Sequence, residues 1–303
     1  MAHFLQSTAW ADFQRSLGRT AVEDRGDGWS YRAFLERGRI NSRLYAPYGP
    51  VVDSPEALRP ALDSLRAQAK RLGAAFVRVE PTGEVDPGRF PELGLVRAPR
   101  KQPEHTQRIA LDRPFEEILA DMASSQRNRH RNYAKKGLSV RRSTDSADVE
   151  HLIRLLGDVA DRTGMHGHSP EYLRATARAL VPTGAASVYL VEFDGAVIAA
   201  SLVFDDADCR YYAHAAADTA HRRLAPGTIL VSRMIEDAAA AGQREFDLYG
   251  VVPPEVKDHA WSGFSEFKRS FGGVQVDYAG TWELPVRRLS YALYSRARRI
   301  LGE

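Results

Sequence analysis

Cysteine is almost absent from this 303-residue chain. Cys209 stands alone, which excludes an internal disulfide framework and fits a reducing compartment. Long apolar runs are missing as well: "VIAASLVF" is about the longest, far short of the roughly 20 residues a spanning helix needs. The opening "MAHFLQSTAWADFQ" shows no basic stretch followed by an apolar one, so no signal peptide is expected and a cytoplasmic location is predicted. No G-x-S-x-G, H-E-x-x-H, Walker A or C-x-x-C segment occurs, so common nucleophile, metalloprotease, nucleotide and redox motifs are excluded. "HGH" at 166–168 has no cysteine or carboxylate pattern beside it; loop histidines are expected there, and no metal. Cys209 lies in a strand pattern and reads as a buried thiol.

What is present is an ordinary globular composition, 44% hydrophobic and 27% charged, in a chain long enough for two cores. Net charge is only +3, yet the cations are unevenly placed. Between Gln126 and Arg142 stand Arg127, Arg129, Arg131, Lys135, Lys136, Arg141 and Arg142, with no acid among them. A second block, "VRRLSYALYSRARRILGE", adds Arg287, Arg288, Arg296, Arg298 and Arg299 against Glu303. Such blocks suit an anionic partner, nucleic acid or a lipid surface, or else form a solvated helix face.

Periodicity orders the second half. "SADVEHLIRLLGDVADRTG" and the capped "SPEYLRATARAL" read as helices. "SVYLVEF" and "AVIAASLVF" read as strands joined by Asp194-Gly195, and "CRYYAHAA" as a third. A helix from about Pro226 to Ala241 then leads to the strand "REFDLYG". With "LSVRR" (138–142) as one more strand, this is the element order of GCN5-type N-acyltransferases, in which acyl donors bind where two strands splay apart. The first half echoes it: a helix near Thr8–Leu17, strands at "TAVED", "WSYRAFLE" and "SRLYAP", a helix beginning Ser54-Pro55, then "AAFVRVEP". The expected fold is therefore α+β, two tandem GCN5-like (GNAT) domains with mixed, mostly antiparallel sheets flanked by helices. Domain one is expected over 1–145, completed by 283–303, and domain two over 146–282. The joint "DRPFEEILADMASSQRNRHRNYAKKG" is predicted as one helix carrying positive charge to the domain boundary.

An acyl-CoA loop of the pattern (Arg/Gln)-x-x-Gly-x-(Gly/Ala) cradles pyrophosphate on backbone amides at a helix start. Here "HRRLAPGTIL" sets Arg222, Ala225 and Gly227 in those places, and Pro226 lacks an N–H, so the cradle is weakened. The ordered run of "LYAPYGPVVD", "RNRHRNYAKKGLSV", "VEFDGAVIAASLV", "YYAHAAADTAHRRLAPGTILVSRMIEDAAAAGQREFDLYGV" and "FSEFKRSFGG…YAGTWEL" is similar to the Fem family of tRNA-dependent peptidoglycan aminoacyltransferases, in its compact form without a coiled-coil arm. The resemblance spans about Trp10 to Leu284.

What the resemblance implies is transfer of an amino acid from aminoacyl-tRNA to a stem-peptide amine of lipid II or UDP-MurNAc-pentapeptide. Aminoacyl-tRNA is then the co-substrate, with no other cofactor, and the second domain carries acyl transfer. Phe267-Lys268 matches the family's Phe-Lys pair, which makes Lys268 the cation for a tetrahedral oxyanion and Phe267 the ring that packs the ribose or acceptor and excludes water. Arg162, Tyr172 and Tyr212 resemble the residues that grip the acceptor's nucleotide-sugar or pyrophosphate. Glu80-Pro81 stands where the family usually has Asp-Pro, and Gln14 where relatives often carry lysine. Gly49-Pro50 would shape a loop on the precursor-binding side, as turn residues. Arg127, Arg129, Arg131, Lys135 and Lys136 would meet tRNA phosphates. Peripheral contact of the C-terminal helix with the inner membrane surface also fits, as does packing of its Tyr291, Leu293, Tyr294 and Ile300 against domain one. Two alternatives stand beside this reading: an acyl-CoA-dependent GNAT N-acyltransferase, and a non-catalytic nucleic-acid-binding protein.

Overall fold

The computed structural model describes residues 2–38, 41–164, 167–256 and 259–301. They group into two compact units, 1–104 with 277–303, and 105–276.

Unit 1 begins with α1 (Thr8–Ser16), whose Ser7 cap accepts from the Trp10 amide and whose inner face buries Trp10, Ala11, Phe13 and Gln14. Next come β1 (Ala21–Gly26), β2 (Trp29–Arg37), β3 (Ser42–Ala46) and β4 (Val51–Val52). α2 (Leu58–Arg71) buries Leu58, Ala61, Leu62, Leu65 and Ala69 at helical spacing. β5 (Phe76–Val79), β6 (Thr82–Gly83) and β7 (Val96–Arg97) follow. β2 pairs antiparallel with β1 and β3, and β3 pairs in parallel with β5 after the α2 crossover.

Unit 2 opens with β8 (His105–Ala110), α3 (Phe115–Asp121), α4 (Ser124–Asn132) and β9 (Leu138–Ser143). α5 (Val149–Thr163), α6 (Pro170–Leu180), β10 (Ala186–Phe193), β11 (Ala196–Asp205) and β12 (Cys209–Ala217) come next. α7 (Pro226–Ala240), β13 (Glu245–Gly250), α8 (Ser262–Arg269) and β14 (Val274–Asp277) complete it. Its sheet runs β14-β8-β13-β12-β11-β10-β9, antiparallel from β9 to β12 and then parallel to β13 across α7. β15 (Trp282–Pro285) and α9 (Arg288–Leu301) return to unit 1, where β15 lies between β5 and β7. Both units thus carry three antiparallel strands, one crossover helix and a parallel strand, each sheet enclosing its own apolar core.

Two expectations need correction. The division falls after Glu104, because β8 hydrogen-bonds antiparallel to β13 and so belongs to the second sheet. The segment expected as one helix is broken at Met122 and Ala123, both extended, so α3 and α4 are separate. Met122 is buried, the Ala123 amide donates to Ser270 O, and Arg127 donates to the freed carbonyls of Ala120 and Met122. The whole basic segment accordingly lies within unit 2.

Candidate active site

The parallel pair of unit 2 is short. β12 and β13 are in register only from Cys209 opposite Glu245 to Tyr211 opposite Asp247, and beyond that point no ladder joins them. Tyr212 is the first residue past the last pair, and the carboxyl end of β13 is left to other partners.

That end is bent. The register of β13 against β8 shifts between Asp247 and Gly250, and Tyr249 takes φ +64°, a left-handed conformation uncommon outside glycine. Asp247, wholly buried, accepts the Tyr249 amide on Oδ1 at 2.7 Å and Arg108 Nε on Oδ2 at 3.1 Å. Arg108 also reaches Glu245 at 2.9 Å. Burial pushes the Asp247 carboxyl up, with Arg108 pulling the other way.

"GFSEFKRSFGG" supplies the facing helix. Lys268 sits on α8 with 2% of its surface exposed. Its Nζ donates to Gly250 O at 2.7 Å and lies 4.0 Å from the Phe264 ring centre. Ser265 fixes the same stretch by accepting the Val252 amide at 2.9 Å, and Arg269 donates to Val252 O. The glycine pair then turns the chain sharply, with Gly273 at φ +78°, where a Cβ would stand 2.1 Å from Arg108 O. Burial brings the Lys268 amine down to about 7, opposed by the charge of Asp247. A buried amine that titrates near neutrality can take up and release protons there.

Phe267 packs edge-on to Phe271 at 5.1 Å, and its ring lies beside Gly227, where an added Cβ would stand 3.9 Å from it. It therefore borders the start of α7, the place of the acyl-CoA cradle. Ala225 is left-handed at φ +54°, Pro226 has no N–H, and the Thr228 amide donates to Ala225 O at 3.0 Å. Over the first three residues of α7, Pro226–Thr228, only the Gly227 amide remains to serve an anion.

The other sequence-selected residues are scattered over both units. Tyr212 is buried in the unit 2 core, and burial pushes its hydroxyl up. Tyr172 stacks on His168 at 4.4 Å, and His168 meets His214 edge-on at 5.4 Å. His214 is brought down to about 3 by burial and by His168, so it is neutral. Arg162 is exposed near the end of α5. His166 lies outside the described residues, among which no group of three or more His, Cys, Asp or Glu side chains could hold a metal.

Glu80 belongs to unit 1. It is buried and accepts four hydrogen bonds, from Tyr45 Oη (2.8 Å), the Tyr48 amide (3.2 Å), the Gln102 amide (2.9 Å) and Thr281 Oγ1 (2.7 Å). Burial still holds its carboxyl above the usual range. Gly49 and Pro50, joined by a cis bond, form a buried turn whose carbonyls accept the Glu80 and Thr82 amides. A Cβ at Gly49 would stand 2.8 Å from Gln6 Nε2. Gln14 is buried on α1 with its Nε2 unpaired.

In the basic block, Arg127 is held by backbone carbonyls, Arg129 by Gln126 at 2.9 Å and Arg131 by Glu116 at 3.2 Å. Lys135 and Lys136 are exposed, with no ion pair among the described residues. Sequence reasoning missed Asp247, Arg108 and Phe264. An acid between the apolar Phe246 and Leu248 of "EFDLYG" was the available signal for the first.

A doubled sheet-and-crossover topology, with parted strands in the second copy, defines a tandem GNAT fold. Residues 120–269 match the acetyltransferase (GNAT) domain family. The structure superposes on the crystal structure of FemX with a TM-score of 0.84, covering 96% of this chain and 94% of that one at 20% identity. A tandem GNAT protein from the clavulanic acid biosynthesis pathway gives a TM-score of 0.54, covering 86% and 79% at 18% identity. In sequence the chain is 28% identical over 212 residues to the lipid II:glycine glycyltransferase of Staphylococcus aureus, which is 63% of this chain and 50% of that protein. It is thus related in sequence to that glycyltransferase. The chain spans about half the length of the curated relatives it matches.

Proposed function

We propose that the protein is a tRNA-dependent aminoacyltransferase of peptidoglycan synthesis, moving an amino acid from aminoacyl-tRNA to a stem-peptide amine of lipid II or UDP-MurNAc-pentapeptide. The observation that carries this reading is the buried Lys268, bonded to the carboxyl end of β13, beside parted strands and a helix start whose pyrophosphate cradle is weakened. An acyl-CoA donor would need those amides; an aminoacyl ester needs a cation where charge develops. Relatedness to the glycyltransferase supports the same choice.

In the reaction the acceptor amine forms a C–N bond to the ester carbonyl, and the C–O bond to the ribose breaks. The amine's proton ends on the ribose oxygen. A lysine titrating near 7 is suited to carry that proton, becoming an ammonium as the oxyanion forms beside it. The Phe264 ring gives the amine an apolar neighbour at 4.0 Å, and Phe267 borders the start of α7. Arg162, Tyr172 and Tyr212 are the acceptor-binding candidates, and Lys135, Lys136 and Arg131 the exposed cations for tRNA phosphate. Arg127 and Arg129, like Arg131 through Glu116, already make bonds within unit 2 and would add their charge and remaining N–H donors. On unit 1, Glu80, Gly49 and Pro50 would support the precursor side as a buried scaffold.

No helix of the described residues is long and apolar enough to cross a membrane. α9, however, exposes 84% of Leu289 and 67% of Leu293, flanked by exposed Arg287, Arg288 and Arg296. That pattern supports cytoplasmic work with peripheral contact at an anionic inner leaflet. Its opposite face packs Tyr291 and Tyr294 on Phe76 of unit 1, while the Ile300 side chain lies outside the described residues.

The test is a transfer assay with pooled radiolabelled aminoacyl-tRNAs and both precursors side by side. Label reaching either precursor, abolished by ribonuclease, is expected. Acyl-CoA turnover with no transfer from any aminoacyl-tRNA would overturn the reading in favour of an ordinary N-acyltransferase.

A further inference from the structure

The lysine amine is not held by a side chain. Its one recorded hydrogen bond is to a backbone carbonyl, that of Gly250, so whatever aims that carbonyl places the amine. The carbonyl stands at the end of the bend over Asp247–Gly250, where β13 leaves its register with β8. Tyr249, in the middle of the bend, occupies a left-handed conformation that costs a non-glycine residue on the order of a kcal/mol or more. The Asp247 carboxylate favours that conformation by capping the Tyr249 amide at 2.7 Å, while the Tyr249 ring meets Tyr211 edge-on at 6.4 Å. The carboxylate cannot swing away, because its other oxygen is tied to Arg108 on the neighbouring strand.

We propose that Asp247 is a positioning residue for Lys268: it holds the left-handed turn at Tyr249, which points the Gly250 carbonyl at the lysine amine, and it supplies negative charge to that amine's surroundings. The proposal rests on the reading of Lys268 as the residue that serves the acyl-transfer step. The groups facing Asp247 are Arg108 from β8, Lys268 from α8, and Cys209 and Tyr211 from β12. Burial pushes both the thiol and the phenol up, so neither is charged near neutrality, and Arg108 is shared with Glu245. Between about pH 6 and 9 the titration that Asp247 influences is therefore that of Lys268. A carboxylate in that position favours the ammonium and a neutral amide does not. The two parts of the role are separable, since one belongs to oxygen geometry and the other to charge.

Three variants test it. Asp247→Asn keeps an oxygen for the Tyr249 amide and removes the charge. Asp247→Ala removes both, and Asp247→Ala with Tyr249→Gly restores a residue at ease in the left-handed turn without restoring charge. The first readout is the Lys268 side-chain titration by carbon-13 NMR of lysine-labelled full-length protein, assigned by the signal missing in Lys268→Met. The second is the pH dependence of transfer with its kcat and KM. Expected for Asp247→Asn is a Lys268 midpoint lowered by about a pH unit, a tenfold or larger loss of kcat, and KM for the precursor within threefold. Asp247→Ala should lose more, and Tyr249→Gly in that background should recover part of kcat while leaving the midpoint low. An unshifted Lys268 midpoint in a folded Asp247→Asn protein overturns the charge part; no recovery by Tyr249→Gly overturns the turn part. Should wild-type protein transfer nothing from aminoacyl-tRNA, the proposed function fails, and the NMR titration still decides whether Asp247 governs Lys268. If Asp247→Asn does not fold, Tyr249→Gly alone carries the geometric test, since a turn no longer needing its cap should leave the midpoint and kcat within twofold; a larger loss refutes it.

Discussion

The two units carry the same topology and treat a buried charge in opposite ways. In unit 1 the parallel pair β3/β5 stays in register from Arg43 opposite Phe76 to Ala46 opposite Val79, and the nearby Glu80 accepts four hydrogen bonds. In unit 2 the equivalent pair parts after Tyr211, and the buried Lys268 makes one recorded bond, to a carbonyl. A fully bonded buried charge stabilises its surroundings and does little else. One left short of partners costs stability and keeps capacity for a substrate.

The largest expected effect tests the well-bonded side. Glu80→Ala strips partners from two hydroxyls and two amides inside unit 1, which should cost about 3–5 kcal/mol. A thermal or urea melt checks it, and a change below about 1 kcal/mol would mean that Glu80 is not the hub its hydrogen bonds describe.

Next comes the other side of the comparison. Lys268→Met should lower transfer by about 10²–10³-fold, the range for losing one preorganised group from an oxyanion site, while changing precursor binding little. Equal losses in both would favour a plain phosphate contact. Stability should move the opposite way. Below pH 7 the lysine is charged both folded and unfolded, and its burial cost is fully felt. Between about 7 and 10.5 the unfolded chain binds the extra proton, so stability attributable to this group rises with pH, and above 10.5 the cost is gone. The methionine variant should therefore melt higher than wild type at pH 6, with the gain fading toward pH 10. A gain independent of pH would show that packing, not charge, is responsible.

The smallest effect concerns exposed cations. Replacing Lys135 and Lys136 by alanine should leave the melting temperature within a degree or two and reduce the salt slope of aminoacyl-tRNA binding by roughly 1–2. An unchanged slope would remove that patch from the tRNA surface. Arg127→Ala, by contrast, should lower stability, because its guanidinium satisfies carbonyls at the α3 end.

Much of the architecture was legible because it rests on local signals. Asp194-Gly195, both at positive φ, marks the β10/β11 hairpin that its sequence announces, and Ser169-Pro170 caps α6 as expected. The break between α3 and α4 was not legible, since helical periodicity continues through Met122 and the tertiary bond from Ala123 to Ser270 decides the matter. The domain boundary failed for a similar reason: the pairing of β8 with β13 joins residues far apart in sequence. At the site, the Phe-Lys pair stood out by resemblance, and the burial of Lys268 did not. A lysine followed by Arg269 and Ser270 looks like a solvated face, and only the α8 packing turns it inward. Asp247 stayed hidden because its function depends on Tyr249's backbone, which no side-chain pattern reports.

The return of β15 to unit 1 also sets an order for the chain's birth on the ribosome. β5, buried along its whole length, bonds to β3 on one side and to β15 on the other, and β15 is made only after all of unit 2. At the usual 5–20 residues per second, the interval from β5 to β15 is roughly 10–40 s. Throughout it, Phe76–Val79 present an unpaired strand edge that chaperones, or a neighbouring nascent chain, can reach before β15 arrives.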